Sequence, residues 1–183
     1  VTLKPSDLPF DMAGLFGCAI STGAGMLLNE IQPQRNSSLV ILGLGGVGMS
    51  ALLTAVVMGV EQVIAIDISD EKLEFARRCG AHQTLNSQSA NAIEWVQDIT
   101  DGGVDYCVES AGLTDTIELG FELLRDGGTL VFASHPPDGE LIELPPHSLI
   151  RGKRIIGSWG GACQPDWDIP RIYELIKDRM KFL

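Results

Sequence analysis

The sequence predicts an α/β fold: a doubly wound, parallel, six-stranded sheet in a single domain. Three observations carry this. Short continuous apolar runs recur along the chain, segments of helical periodicity separate them, and a glycine cluster stands at the first junction of strand and helix. The runs at residues 39–42, 63–66, 104–108 and 130–133 do not alternate with polar residues, as expected of parallel strands covered on both faces.

Residues 1–30 read as a connecting segment and a helix, followed by a polar loop over 32–38 and the first strand. An apolar helix over 49–58 follows the glycines. After the second strand, Ser69 precedes the acidic pair Asp70 and Glu71, which favours a helix N-terminus; Leu73, Ala76 and Cys79 make its stripe and Gly80 its stop. A weak strand is expected around Thr84 and Leu85, and a helix from Ile93, Val96 and Ile99. Beyond the strand over 104–108, Thr114 is the expected cap of a helix whose Ile117, Phe121 and Leu124 share a face and which Gly127 and Gly128 end. A Pro-rich excursion over 136–147 leads to a last strand near Ile155 and Ile156. From Asp168, the apolar positions Ile169, Ile172, Tyr173, Ile176 and Met180 make a final helical stripe. Right-handed crossovers between such strands give an open sheet with helices on both faces.

Composition narrows the function classes. The chain has 183 residues, 13 basic against 24 acidic side chains and a formal charge of −11, which argues against nucleic acid as a partner. With 45% apolar and 20% charged residues it has the means to bury a core. Apolar stretches are broken before 18 residues and the start lacks a basic leader, so no membrane span or secretory signal is expected, and the location expected is cytoplasmic. Cys18, Cys79, Cys107 and Cys163 lie too far apart for a dense disulfide framework or a C-x-x-C knuckle. The opening on Val1 and a helical stripe running almost to Leu183 read as a piece of a longer polypeptide, a natural terminus being the alternative.

Gly43-Leu44-Gly45-Gly46-Val47-Gly48 fits G-x-G-x-x-G in the context that gives the pattern meaning, directly after a strand and opening a helix. Gly43 permits the tight turn, Gly45 lets the backbone approach a diphosphate, and Gly48 allows close packing of helix on strand. Amide N–H groups at the helix start then hold the phosphates. Asp67 ends the second strand, 19 residues beyond Gly48, where its carboxylate can accept hydrogen bonds from ribose hydroxyls. The same charge repels a 2′-phosphate, and Ile68, Ser69 and Asp70 supply no Arg to receive one, so the reading is a Rossmann-type domain that prefers NAD over NADP. A turn or capping aspartate is the plainer reading of Asp67. A methyltransferase loop is the other alternative, although its usual acidic residue before the glycines is absent from residues 39–42.

Upstream, Gly17-Cys18-Ala19-Ile20-Ser21-Thr22-Gly23-Ala24-Gly25 with Asn29 resembles a signature of the zinc-containing alcohol dehydrogenases of the medium-chain dehydrogenase/reductase family. Glu109-Ser110-Ala111-Gly112, Gly127-Gly128-Thr129 and Ile156-Gly157-Ser158-Trp159-Gly160-Gly161 follow in that family's order. The resemblance covers essentially the whole chain but only the coenzyme half of such an enzyme; the GroES-like catalytic domain is absent from this sequence. It implies an oxidoreductase that moves hydride between an alcohol and NAD with zinc as Lewis acid. The chain by itself is expected to bind NAD(H) without turnover.

The resemblance makes Cys18 a ligand of the catalytic zinc, Thr22 a contact of the nicotinamide ring, Val47 the residue packed behind that ring, and Lys72 a partner of the adenosine ribose beside Asp67. It places Ala133, Ser134 and Ser158 where backbone atoms hold the carboxamide, with Ser134 replacing a more usual glycine. Trp159-Gly160-Gly161 with Pro170 looks closest to the benzyl- and glutathione-type branch, and the family implies an alcohol or aldehyde substrate and a homo-oligomer. Cys79, Cys107, Cys163, His82, His135 and His147 read as buried thiols or solvated imidazoles rather than ligands. Two other functions compete with this one. A zinc-free, NADPH-dependent quinone or enoyl reductase of the same superfamily is opposed by Cys18 and Asp67 together. A non-catalytic dinucleotide-binding module is the other, and the sequence before Val1 would separate it from the enzyme.

Overall fold

Each run read as a strand forms one: β1 (Ser38–Leu42), β2 (Gln62–Asp67), β3 (Gln83–Asn86), β4 (Val104–Glu109), β5 (Leu124–Phe132) and β6 (Arg154–Gly157). In the computed structural model, which describes residues 4–182, these make one parallel sheet in the order β3-β2-β1-β4-β5-β6. The order reverses between β1 and β4, and there a sheet of this kind opens a crevice at the carboxyl ends of its strands.

Alternate residues of the strands feed two cores. Leu39, Ile41, Val63 and Ala65 pack with Leu52, Leu53, Leu73 and Ala76 on one face, while Val40, Leu42, Ile64 and Ile66 pack with Val96, Ile117 and Phe121 on the other. The helices are α1 (Phe10–Ala13), α2 (Ala19–Gly25), α3 (Gly46–Met58), α4 (Asp70–Cys79), α5 (Ala92–Thr100), α6 (Thr114–Glu122), α7 (Pro146–Ile150) and α8 (Pro165–Ile176), with α3 and α4 covering the first face and α5 and α6 the second. A third cluster joins the two ends of the described chain, Phe16 and Ile20 against Ile172, Tyr173 and Ile176. Among the described residues no single helix is long and apolar enough to cross a bilayer.

Local chemistry explains most boundaries. The Ser69 hydroxyl accepts from the Lys72 N–H at 3.5 Å to start α4, and Gly80 ends it with a φ of +111° that favours glycine. The Asn91 side chain accepts from Ile93 and Glu94 to start α5. Two expectations need correction. Leu113, not Thr114, precedes α6, and the hydroxyl of Thr116 takes the Leu113 N–H at 3.4 Å. The helix ends at Glu122, so Leu124, Gly127 and Gly128 belong to β5. Leu124 pairs with Val104 before the register shifts to Tyr106 and Thr129, and a Cβ on Gly128 would stand 2.9 Å from the Val104 carbonyl oxygen. That glycine serves a strand irregularity rather than a helix end.

Two contacts position the site. A Cβ on Gly23 would lie 2.2 Å from the Val47 carbonyl oxygen, so α2 crosses the start of α3 at backbone distance. Beyond Gly25 the helix widens into a π-helical segment, Met26–Ile31, where Gly25 abuts the Gly161 carbonyl. At the far end of the sheet, Asp105 accepts from the Ser38 N–H at 2.8 Å, the Ser38 hydroxyl at 2.9 Å and the Arg125 Nε at 2.7 Å. Partial burial opposes ionisation, but these donors outweigh it and hold the carboxyl below its ordinary range. A depressed folded value means stability present above the unfolded value and lost as the pH falls through the folded one. Asp105→Asn is therefore expected to cost about 1 kcal/mol at neutral pH, with the difference shrinking in acid, in urea unfolding at several pH values.

Candidate functional site

The loop between β1 and α3 is held from both sides. Gly43 has a φ of +84°, its N–H donates to the Ile66 carbonyl at 2.9 Å, and a Cβ there would meet the Ala111 backbone nitrogen at 2.8 Å. From β4, the Ser110 N–H donates to Leu42 and its hydroxyl to the Gly43 carbonyl, each at 2.9 Å. Gly48 packs on the same carbonyl so closely that a Cβ would lie 1.9 Å from the oxygen. Gly45 differs, because nothing lies within 4 Å of the place its Cβ would take. The protein itself requires Gly43 and Gly48; the open space at Gly45 leaves room for a ligand.

That space adjoins a helix N-terminus. The first hydrogen bond of α3 runs from the Met49 N–H to the Gly45 carbonyl at 2.9 Å, which leaves the amides of Gly46, Val47 and Gly48 as the usual unpaired donors. With the helix dipole they favour an anion. Gly46 is also the point where α3 meets Ala19 of α2, a Cβ there standing 3.1 Å from the Ala19 Cβ.

Asp67 faces this end from the tip of β2 and is 8% exposed. Its Oδ2 accepts from the Leu44 N–H at 2.7 Å and its Oδ1 from the Ser69 N–H at 2.9 Å, with the Lys72 ammonium 3.7 Å away. Each carboxylate oxygen therefore keeps acceptor capacity for a further donor. Gly43, Gly45, Asp67 and Lys72 line one cleft of about 330 Å³. The same cleft contains two exposed apolar side chains that the sequence reading missed, Ile68 and Leu113, respectively 62% and 59% exposed. Their signal was present in the sequence: large hydrophobes stand in turns, one directly after β2 and one directly before α6.

A second cavity of about 570 Å³ gathers Cys18, Thr22, Val47 and Ala133, beside Phe16 and Trp159. Cys18 is exposed at the start of α2, and Thr22, one helical turn on, is buried. His135 and Cys163 also line it, and the His135 ring meets the Trp159 ring edge-on with centroids 5.3 Å apart. Burial, then the charges of Asp168 and Glu30, push the Cys163 thiol up to about 11, and it donates to the Ser21 carbonyl at 3.1 Å. It is held as a thiol at neutral pH by these surroundings. Among the described residues no three His, Cys, Asp or Glu side chains gather to hold a metal ion, so Cys18 has no complete ligand set here.

A family model of zinc-binding dehydrogenases matches residues 46–177, most of the chain and nearly all of the sheet. The chain belongs to the zinc-binding dehydrogenase family. The chain is 33% identical over 169 residues to alcohol dehydrogenase 1 of Solanum tuberosum, a match covering 91% of the chain and 44% of the relative. Among solved structures it resembles benzyl alcohol dehydrogenase from Acinetobacter calcoaceticus, with a TM-score of 0.94 at 33% identity, over 99% of this chain and 51% of that one. It also resembles an alcohol dehydrogenase zinc-binding domain protein from Burkholderia ambifaria, with a TM-score of 0.92 at 34% identity, over 97% and 49%. The chain thus spans about half the length of the relatives it matches.

Ser134 and Ser158 lie next to residues of the second cavity rather than in its lining. The buried Ser158 donates its N–H to the Phe132 carbonyl at 2.8 Å, and its hydroxyl accepts from the Gly161 N–H at 3.1 Å. Ser134 turns its hydroxyl inward to Glu109. Glu109 is a functional candidate the sequence reading passed over, since an acidic residue at the end of an apolar run shows nothing of the partners that fold around it.

Proposed function

We propose that this chain is the NAD-binding half of an NAD- and zinc-dependent alcohol dehydrogenase, spanning residues 1–183, with residues 1–30 as the connecting segment and helix. The observation that carries the reading is the conjunction at the first cleft: an open Gly45, three unpaired amides, and a buried Asp67 with free acceptor capacity. The amides of Gly46, Val47 and Gly48 bind the diphosphate, and Asp67 accepts from the ribose hydroxyls with Lys72 beside it. A 2′-phosphate would bring its charge against Asp67 in a site with few compensating cations. Ile68 and Leu113 offer apolar faces to the adenine ring. Thr22, Val47 and Ala133 take the nicotinamide end in the second cavity, with the backbone at Ser134 and Ser158 close by.

When bound, NAD supplies the hydride acceptor and zinc the Lewis acid of an alcohol oxidation. Cys18 contributes one thiolate toward that metal, and the described residues do not complete its ligand set. The aromatic side chains Phe16 and Trp159 at the second cavity suit an aromatic alcohol or aldehyde, the kind of substrate named for the Acinetobacter calcoaceticus relative. Among the described residues one edge of β6 has no strand partner, and it offers a place for homo-oligomer contact. Calorimetry of the chain is expected to show one-to-one heat with NADH and affinity for NADPH lower by about 100-fold. Equal affinity for the two would remove Asp67 as the ribose reader.

A further inference from the structure

Glu109 is fully buried at the carboxyl end of β4, and among the described residues no Lys, Arg or His forms an ion pair with it. A carboxylate is kept in such a place only where donors replace water. Four do. Its Oε1 accepts from the Ala111 N–H at 2.8 Å, the Gly112 N–H at 3.0 Å and the Thr116 hydroxyl at 2.7 Å, and its Oε2 accepts from the Ser134 hydroxyl. One oxygen faces the turn that leaves β4; the other faces the loop that leaves β5.

These two segments belong to different cavities. Ala111 and Thr116 line the first cleft, whereas Ala133 and His135, on either side of Ser134, line the second. The backbone adds a parallel tie, with the Ala133 N–H donating to the Glu109 carbonyl at 3.2 Å. Closing the β4 turn needs only the donors on Oε1. The bond on Oε2 is a separate link, and it exists because position 134 is serine: a glycine, the more usual residue in the family resembled by the sequence, has no hydroxyl to give.

We propose that Glu109 is a positioning residue that sets the two halves of the coenzyme site at their working separation, with Ser134 as its link to the nicotinamide end. This rests on the reading that one dinucleotide spans both cavities. A loop free to drift would leave the adenosine and diphosphate contacts intact and weaken those to the far ring. Ligand length therefore separates positioning from general stability. ADP-ribose carries the adenosine, the diphosphate and a second ribose but lacks the nicotinamide.

The test measures NADH and ADP-ribose binding to the 183-residue chain and to two variants. Ser134→Ala keeps the Cβ and removes the hydroxyl; it should weaken NADH by about tenfold and ADP-ribose by less than about twofold. Ser134→Thr, which restores a hydroxyl, should return NADH affinity to within about threefold of the parent. Equal weakening of the two ligands by Ser134→Ala, or no change in either, overturns the proposal while leaving the dinucleotide reading in place. A parent chain that takes up neither ligand overturns both.

Discussion

Alanine at Gly48 is expected to unfold the domain, and alanine at Gly45 to leave it folded but unable to hold a coenzyme. At Gly48 the new carbon would lie 1.9 Å from the Gly43 carbonyl oxygen and 2.7 Å from the Ser110 hydroxyl. The first of these is backbone, so either the loop or α3 has to move. The loop is fixed on β2 through the Gly43 N–H and on β4 through Ser110, and neither anchor can follow without breaking. A loss of about 4 kcal/mol or more in urea unfolding is the expected result, in the range reserved for backbone-level clashes. At Gly45 the backbone is extended, with a φ of −78° that any residue adopts, and the space around the new carbon is empty. Stability should change by less than about 0.5 kcal/mol or rise slightly, since alanine restricts the unfolded chain. NADH affinity should nonetheless fall by about 100-fold, because the methyl group occupies the approach of the diphosphate to the amides. A Gly48→Ala variant as stable as the parent would show that the packing of α3 on the loop is looser than described.

The second large effect is on coenzyme choice. Replacing Asp67 by Gly and Ser69 by Arg removes the ribose acceptor and supplies a cation for a 2′-phosphate, so preference should move from NADH toward NADPH by about 100-fold or more. The structure adds a cost that the sequence did not disclose. Asp67 Oδ2 is also the acceptor of the Leu44 N–H, and without it a donor beneath the glycine loop loses its partner. Stability should therefore drop as the preference shifts, by the about 1–3 kcal/mol that an orphaned buried donor costs. Asp67→Asn separates the two roles. An amide oxygen can still take the Leu44 N–H, at the cost of the Ser69 N–H bond, so binding of the diphosphate is preserved while the repulsion of NADPH is relaxed. Unchanged selectivity in both variants would mean that another group reads the ribose.

What the sequence disclosed depended on how local the physics was. The strands were legible because a two-sided sheet demands uninterrupted apolar runs, and Ser69 with Gly80 marked α4 because caps act within one turn. Cys18 and Thr22, Val47, and Ala133 come from three separate parts of the sequence and line one cavity. The readings that failed were tertiary. Leu124 continued the stripe of Ile117 and Phe121 and the Gly127-Gly128 pair looked like a helix stop, yet pairing with Val104 claims Leu124 for β5. The close contact of Gly25 with Gly161 could not be seen from either residue, since its partner lies far along the chain. The same holds for Glu109, whose four donors come from the turn after β4, the first turn of α6 and the loop after β5.

The most direct measurement is a crystal structure of the chain with NADH bound. The diphosphate should lie on the amides of Gly46, Val47 and Gly48 with Gly45 beneath it, both ribose hydroxyls within hydrogen-bonding distance of Asp67, and the nicotinamide between Thr22 and Val47. A nucleotide seated elsewhere, or one in this cleft with Asp67 more than a water molecule away from the ribose, would contradict the account.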